Sequence, residues 1–145
     1  MLYPIDKTKV DELLQYIDEL QPTVMKMAEV DSALLEQDSV HRLAAERLIL
    51  LLTEAFTDVF ALIIDGLMLR DPGSYQDMVE IMTLEGALPK EYGEKLEELV
   101  AFRGRLVRDY VHVSAAELIA TLRLLGQIFP PFTGYIRAFL DHELF

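Results

Sequence analysis

The stretch Leu48 to Leu69, LILLLTEAFTDVFALIIDGLML, decides the fold. A run this long and apolar reads either as a membrane span or as the central helix of a bundle. Glu54, Asp58 and Asp65 interrupt it. A charge at the bilayer centre costs roughly 2.5–3.5 kcal/mol even on the lenient insertion scale, so the segment reads as a buried helix of a cytoplasmic protein. Asp38 or Ser39 caps its start, and the pattern carries it to about Leu69. Arg47, Glu54, Asp58 and Asp65 fall on one stripe. Most of the remaining circumference is apolar, which suits a helix that is central to the fold or shared between subunits.

Working outward, strand signals are weak and helix signals strong. Upstream, Val10, Leu13, Leu14, Ile17 and Leu20 recur at helical spacing behind an Asp6 cap, predicting a helix from about Lys7. Pro22 kinks or ends it, with a continuation to about Met27, and a polar connection follows. Downstream, Pro72-Gly73 breaks the chain, and Ser74 with Asp77 resembles a capping box that opens a short helix ending near Gly86. Pro89 suits a first helical position, opening a helix to about Tyr110. Ser114 with Glu117 is a cleaner capping box for a last helix, which Pro130-Pro131 should kink before Tyr135 to Leu140. These elements predict one all-α domain over residues 1–145, an antiparallel four- to five-helix bundle.

Composition bounds the function. The 145 residues are 52 % hydrophobic and 26 % charged, as in a globular chain, and include no cysteine, which excludes disulfides and thiolate chemistry. The N-terminal MLYPIDKTKVDELL has no apolar run of signal-peptide length. A formal charge of −12 repels polyanions at long range, which argues against DNA and membrane partners. Any RNA or nucleotide contact must be local. His41, His112 and His142 are scattered without metal-ligand spacing, so neither a metal nor another cofactor is expected. No nucleophile elbow, dinucleotide fingerprint or zinc-protease motif occurs.

The local exception to the acidic balance is Ala101 to Tyr110, AFRGRLVRDY, with three arginines in six residues. On a helical projection from Leu96, the side chains of Leu99, Val100, Leu106 and Val107 form one apolar face. Arg103 and Tyr110 fall within that face, Arg108 on its flank, and Arg105 away from it as a solvated charge. A guanidinium on an apolar face needs partners. Two arrangements satisfy it: a salt bridge to Glu54, Asp58 or Asp65 of the central helix, or an anion site in a groove, where Arg103 and Arg108 hold a phosphate. Both can coexist, the carboxylates orienting the arginines. Tyr110 reads as a core tyrosine with its hydroxyl at the rim or as a nucleotide contact. The Arg70–Tyr75 turn reads as a helix-start device, lacking the glycines and lysine of a phosphate cradle.

Residues 101–110, with the Arg70–Tyr75 turn and the helix after it, resemble the HepT-like family of HEPN-fold proteins. The resemblance covers nearly the whole chain in order and spacing. It implies a small helical bundle that pairs into a homodimer. Active members of the family are metal-independent ribonuclease toxins with the motif Arg-x4-His-x-Tyr facing its copy across the dimer cleft. Their partner is a small nucleotidyltransferase antitoxin that adds AMP to the motif tyrosine. In this sequence the motif arginine is Arg103 and the motif tyrosine, hence the implied AMP acceptor, is Tyr110. Arg108 stands at the histidine position, and Gly104 where a polar residue often follows the motif arginine. Histidine can both take and give a proton near neutral pH. Arginine stays protonated and offers no acceptor lone pair, so Arg108 cannot be the base, although it can stabilise charge on phosphorus. The resemblance with this substitution implies a phosphate-, RNA- or nucleotide-binding cleft with impaired or absent catalysis. The alternative is a non-catalytic dimeric interaction module whose arginines serve only structural salt bridges.

Overall fold

The computed structural model describes residues 5–144, without the side chain of Leu144, and among them places six α-helices and one 3-10 turn with no strand. Residues 1–4 of the stretch read for a signal peptide lie outside the described residues. The helices are α1 (Lys7–Ala28), α2 (Ser32–Gln37), α3 (Ser39–Gly66), α4 (Tyr75–Leu84), α5 (Lys90–Arg108) and α6 (Ala115–Leu144). The 3-10 turn, Tyr110–His112, lies between α5 and α6. No described helix is long and apolar enough to cross a membrane.

Asp6 caps α1 as expected, its carboxylate accepting from the Lys9 amide at 3.0 Å. Pro22 does not end the helix. Val24 beyond it is fully buried, and packing along α3 and α6 offsets the hydrogen bond that proline removes. The segment read as a polar connection is in fact the short helix α2. The Asp31 side chain caps it and Leu35 seats it on the core, so the bundle gains one helix over the expected number.

Helix α3 is the core of the bundle. Asp38 caps it by accepting from the Val40 and His41 amides. Leu48, Ile49, Leu52, Phe56, Val59, Phe60 and Ile63 are buried, and Phe56 and Phe60 join Phe129 and Phe132 of α6 in one aromatic cluster with centroids 5.5–6.2 Å apart. It stops at Gly66 rather than Leu69. Met68 turns into the left-handed region at φ 56°, and Gly66 packs so closely on Ile5 that an added Cβ would sit 2.3 Å from its Cγ1. The first turns of α3 leave Val40 and Leu43 exposed.

Ser74 caps α4 by accepting from the Asp77 amide, but Asp77 does not reciprocate as in a capping box. Its carboxylate accepts instead from the Gly73 amide and from both Nη groups of Arg70, at 2.7–2.8 Å. Pro89 occupies the cap position before α5 rather than the first helical position. Ser114 and Glu117 do form a reciprocal box at the start of α6, each amide donating to the other side chain at 3.1 Å. Helix α6 runs through Pro130 and Pro131, with Ile128, Phe129 and Phe132 buried around them.

Contacts at two levels show α3 and α5 running antiparallel. Glu54 meets Arg103, and one turn into α3 the Arg42 guanidinium donates to the Val113 carbonyl just past the end of α5. Helix α4 covers the α3–α5 groove only as far as Tyr75, its first residue.

Candidate functional site

The site is built where α4 begins. Arg103 projects from α5 toward α3, and its Nε donates to Glu54 Oε1 at 2.8 Å. Its guanidinium carbon lies 4.2 Å from the centroid of the Tyr75 ring. The Tyr75 hydroxyl donates to the same carboxylate, 2.9 Å from Oε2. Burial and that carboxylate together raise the Tyr75 pKa, so the phenol keeps its proton. The three side chains form a closed unit in which the arginine is held by charge on one edge and by a π face beneath.

Arg103 is 24 % exposed and Glu54 41 %, so the pair sits at the wall of the bundle rather than in its core. Neither Nη group of Arg103 makes a further hydrogen bond among the described residues. That free end has the fork geometry that binds a phosphate or carboxylate through two parallel hydrogen bonds. Of the two arrangements open to Arg103 from sequence, the salt bridge to Glu54 is present, and it leaves both Nη groups without a hydrogen bond among the described residues.

The other carboxylates divide. Asp58, one turn past Glu54, is exposed and makes no ion pair with Arg103. Desolvation and then the neighbouring Glu54 charge raise its pKa. Asp65 is exposed near the end of α3 and supports no arginine. Glu54 alone orients the cation.

Arg103 and Arg108 do not converge within the chain. Five residues along a helix turn the side chain by about 140°. Arg108 is exposed and folds back over Gly104, where an added Cβ would lie 2.5 Å from its Nη2. It makes no ion pair among the described residues. The bare backbone at 104 gives the Arg108 guanidinium its resting place.

Tyr110 departs most from its expected position. α5 ends at Arg108, so Tyr110 leaves the apolar face and stands 55 % exposed in the 3-10 turn. The turn is clasped from several sides. Asp109 adopts φ −135°, ψ 38°, and its carboxylate meets His112 Nδ1 at 2.7 Å. Arg105, expected to be solvated, instead donates to the His112 carbonyl and pairs with Glu117 of α6, while Arg42 holds the Val113 carbonyl. His112 is thereby an exposed turn residue, and His41 pairs with its own cap residue Asp38.

Sequence reasoning missed Tyr75. It sits in the turn read as a helix-start device, and only the approach of α4 to Glu54 reveals its second use. Arg47 was placed on the right stripe but given no role. It is exposed and forms no ion pair or hydrogen bond among the described residues.

The sequence matches the family described as Ribonuclease HepT-like over residues 11–134. YutE of Bacillus subtilis (strain 168), whose name marks it as a candidate RNase, is 30 % identical over 143 residues, covering 99 % of this chain and 95 % of YutE. The solved structure of YutE, described as a cytosolic protein of unknown function, superposes with a TM-score of 0.85 at 28 % identity, covering 99 % of this chain and 96 % of that one. The all-α bundle is thus a HEPN-like fold shared over its full length.

Proposed function

The chain belongs to the HepT-like ribonuclease family, and from that premise we propose that it is a homodimeric, ribonuclease-derived protein whose arginine-lined cleft binds RNA or a nucleotide with impaired or absent cleavage. The observation that carries the reading is the Arg103 guanidinium, held by Glu54 and Tyr75 with its Nη end free. Arg103 and Arg108 point about 140° apart, so one phosphate would be shared by arginines of two protomers. Val40, Leu43, Val107, Tyr110 and Val111 are exposed around the open end of the α3–α5 groove, and burying them against a second copy supports that pairing. Exposure of Tyr110 also suits an acceptor of AMP from a nucleotidyltransferase antitoxin, the partner a toxin–antitoxin lineage implies. A cytoplasmic setting accords with an RNA ligand.

Metal-independent cleavage needs a proton taken from the 2′-hydroxyl and one returned to the leaving 5′-oxygen. Arg108 does neither, whereas both arginines can stabilise the charge on phosphorus. Purified protein and the Arg108→His variant are incubated with single-stranded RNA in EDTA. Cleavage gained by the variant, and lost again when Arg103→Ala is added, is the expected result. Cleavage by the unmodified protein that survives Arg103→Ala refutes this assignment of the site.

The Arg103–Glu54 bridge also favours a second reading, a non-catalytic dimeric module in which that pair is purely structural. The two separate on thermal unfolding at fixed protein concentration. A ligand at a hundred times its Kd adds about 2.7 kcal/mol to the native state. A higher midpoint with millimolar AMP or phosphate supports the anion site, and an unchanged one supports the module.

A further inference from the structure

The chain has 13 Lys and Arg against 25 Asp and Glu, yet several cations form no ion pair among the described residues, Lys26, Lys90 and Lys95 among them. Arg42, Arg70, Arg103, Arg105 and Arg137 each form an ion pair. Arg47, Arg108 and Arg123 form none among the described residues. Arg123 lies beside Glu98, Phe102 and Gln127, on a different flank of α5. Arg47 stands at the open end of the α3–α5 groove, whereas Arg108 lies over Gly104.

Arg47 is placed there by helix geometry. It precedes Glu54 by seven residues, which brings it back to within about 20° of the same face, roughly 10 Å along the axis. Glu54 marks the level of Arg103, and Arg42 marks the level of Val113, so Arg47 lies between them, beyond the point where α4 stops covering the groove. Its neighbours one turn away on α3 are Leu43, Ala44, Leu50 and Leu51, none able to neutralise it.

We infer that Arg47 is a second phosphate-contacting residue, extending the Arg103 site along the groove so that it takes a polynucleotide strand rather than a single phosphate. The inference rests on the anion-site reading above and adds to it a ligand class and a residue. The groove then carries Arg103 at its inner end and Arg47 at its mouth. A strand entering past Arg47 would place a phosphate on each, with the exposed Leu43 and Val107 available to the bases.

The test is the salt dependence of binding. Each cation that displaces a counterion from a single strand contributes about 0.7 to the slope of log K against log salt. A labelled oligouridylate is titrated in EDTA by fluorescence anisotropy at several sodium chloride concentrations, using the full-length protein and Arg47→Ala, Arg47→Lys, Arg123→Ala and Arg103→Ala. Arg47→Ala should flatten the slope by about 0.7 for each phosphate lost. Arg47→Lys should restore it and Arg123→Ala leave it unchanged. An unchanged slope in Arg47→Ala, with binding still weakened by Arg103→Ala, overturns the role of Arg47 and leaves the anion site standing. So does an unchanged slope with weakened self-association by sedimentation, which makes Arg47 a subunit contact. Absence of binding by the unmodified protein overturns the inference and the parent reading together.

Discussion

Removing Glu54 and Arg103 singly and together measures how firmly the arginine is held. Their N–O distance is 2.8 Å. Unit charges about 4 Å apart attract by about 1 kcal/mol in water and about 4 kcal/mol at an effective dielectric of 20. With 24 % and 41 % of the two side chains exposed, screening and the cost of ordering both pull the net value toward the lower figure. The expected coupling is about 1 kcal/mol, larger than an open surface pair because Tyr75 fixes both partners. Urea unfolding of the parent, Glu54→Ala, Arg103→Ala and the double variant, at one protein concentration, yields the cycle. In a chain of this size about 1 kcal/mol moves Tm by about 2–4 °C. Glu54→Ala strands the cation on a half-buried wall, while Arg103→Ala leaves Glu54 the Tyr75 hydroxyl, so Glu54→Ala should be the more damaging single change. A coupling below about 0.3 kcal/mol would mean that the contact holds nothing in place.

Gly66→Ala must push against the Ile5 Cγ1 and Cα, 2.3 and 2.9 Å from the new methyl, and should cost about 1–3 kcal/mol in denaturant unfolding. Gly86→Ala meets no atom within 4 Å but sits at φ +85°, so calorimetry should show a smaller loss of about 1 kcal/mol from backbone strain alone. Asp77, with Arg70 and the Gly73 amide on its carboxylate, titrates at about 2 in the folded chain. Its folded value lies below the unfolded one, so its contribution is present above about pH 4 and lost as pH falls toward 2, a loss that Asp77→Asn should not show. Asp58 has the opposite sign. Its raised pKa makes the charged form unfavourable in the fold, so Asp58→Asn should raise Tm at pH 7 and lose that advantage once both states are protonated near pH 3.

Local signals located most of the helices. Asp6, Asp38, Ser74 and Ser114 each cap where the sequence suggests, because an N-cap is a contact within three residues. The failures came where tertiary packing overrode a local rule. Leu35 turns a polar link into α2 because it reaches the core. At the site, the stripe through Glu54 and the face through Arg103 were both legible from helical periodicity, and so was their pairing as one of two options. Tyr75 was not, since its ring meets Arg103 only through the approach of two helices distant in sequence. The end of α5 was also hidden. Arg105 and Arg42 pull the carbonyls of His112 and Val113 out of a helical path, and that carries Tyr110 to the surface.

The central claim is that Arg103 is anchored at Nε and open at Nη. It is tested most directly by NMR of the arginine side-chain Nε–H signals, with Arg103→Ala supplying the assignment. The account predicts a protected Arg103 signal in the free protein, lost in Glu54→Ala and shifted saturably by AMP or single-stranded RNA. A signal that exchanges freely with water, or that stays unmoved at millimolar ligand, contradicts it.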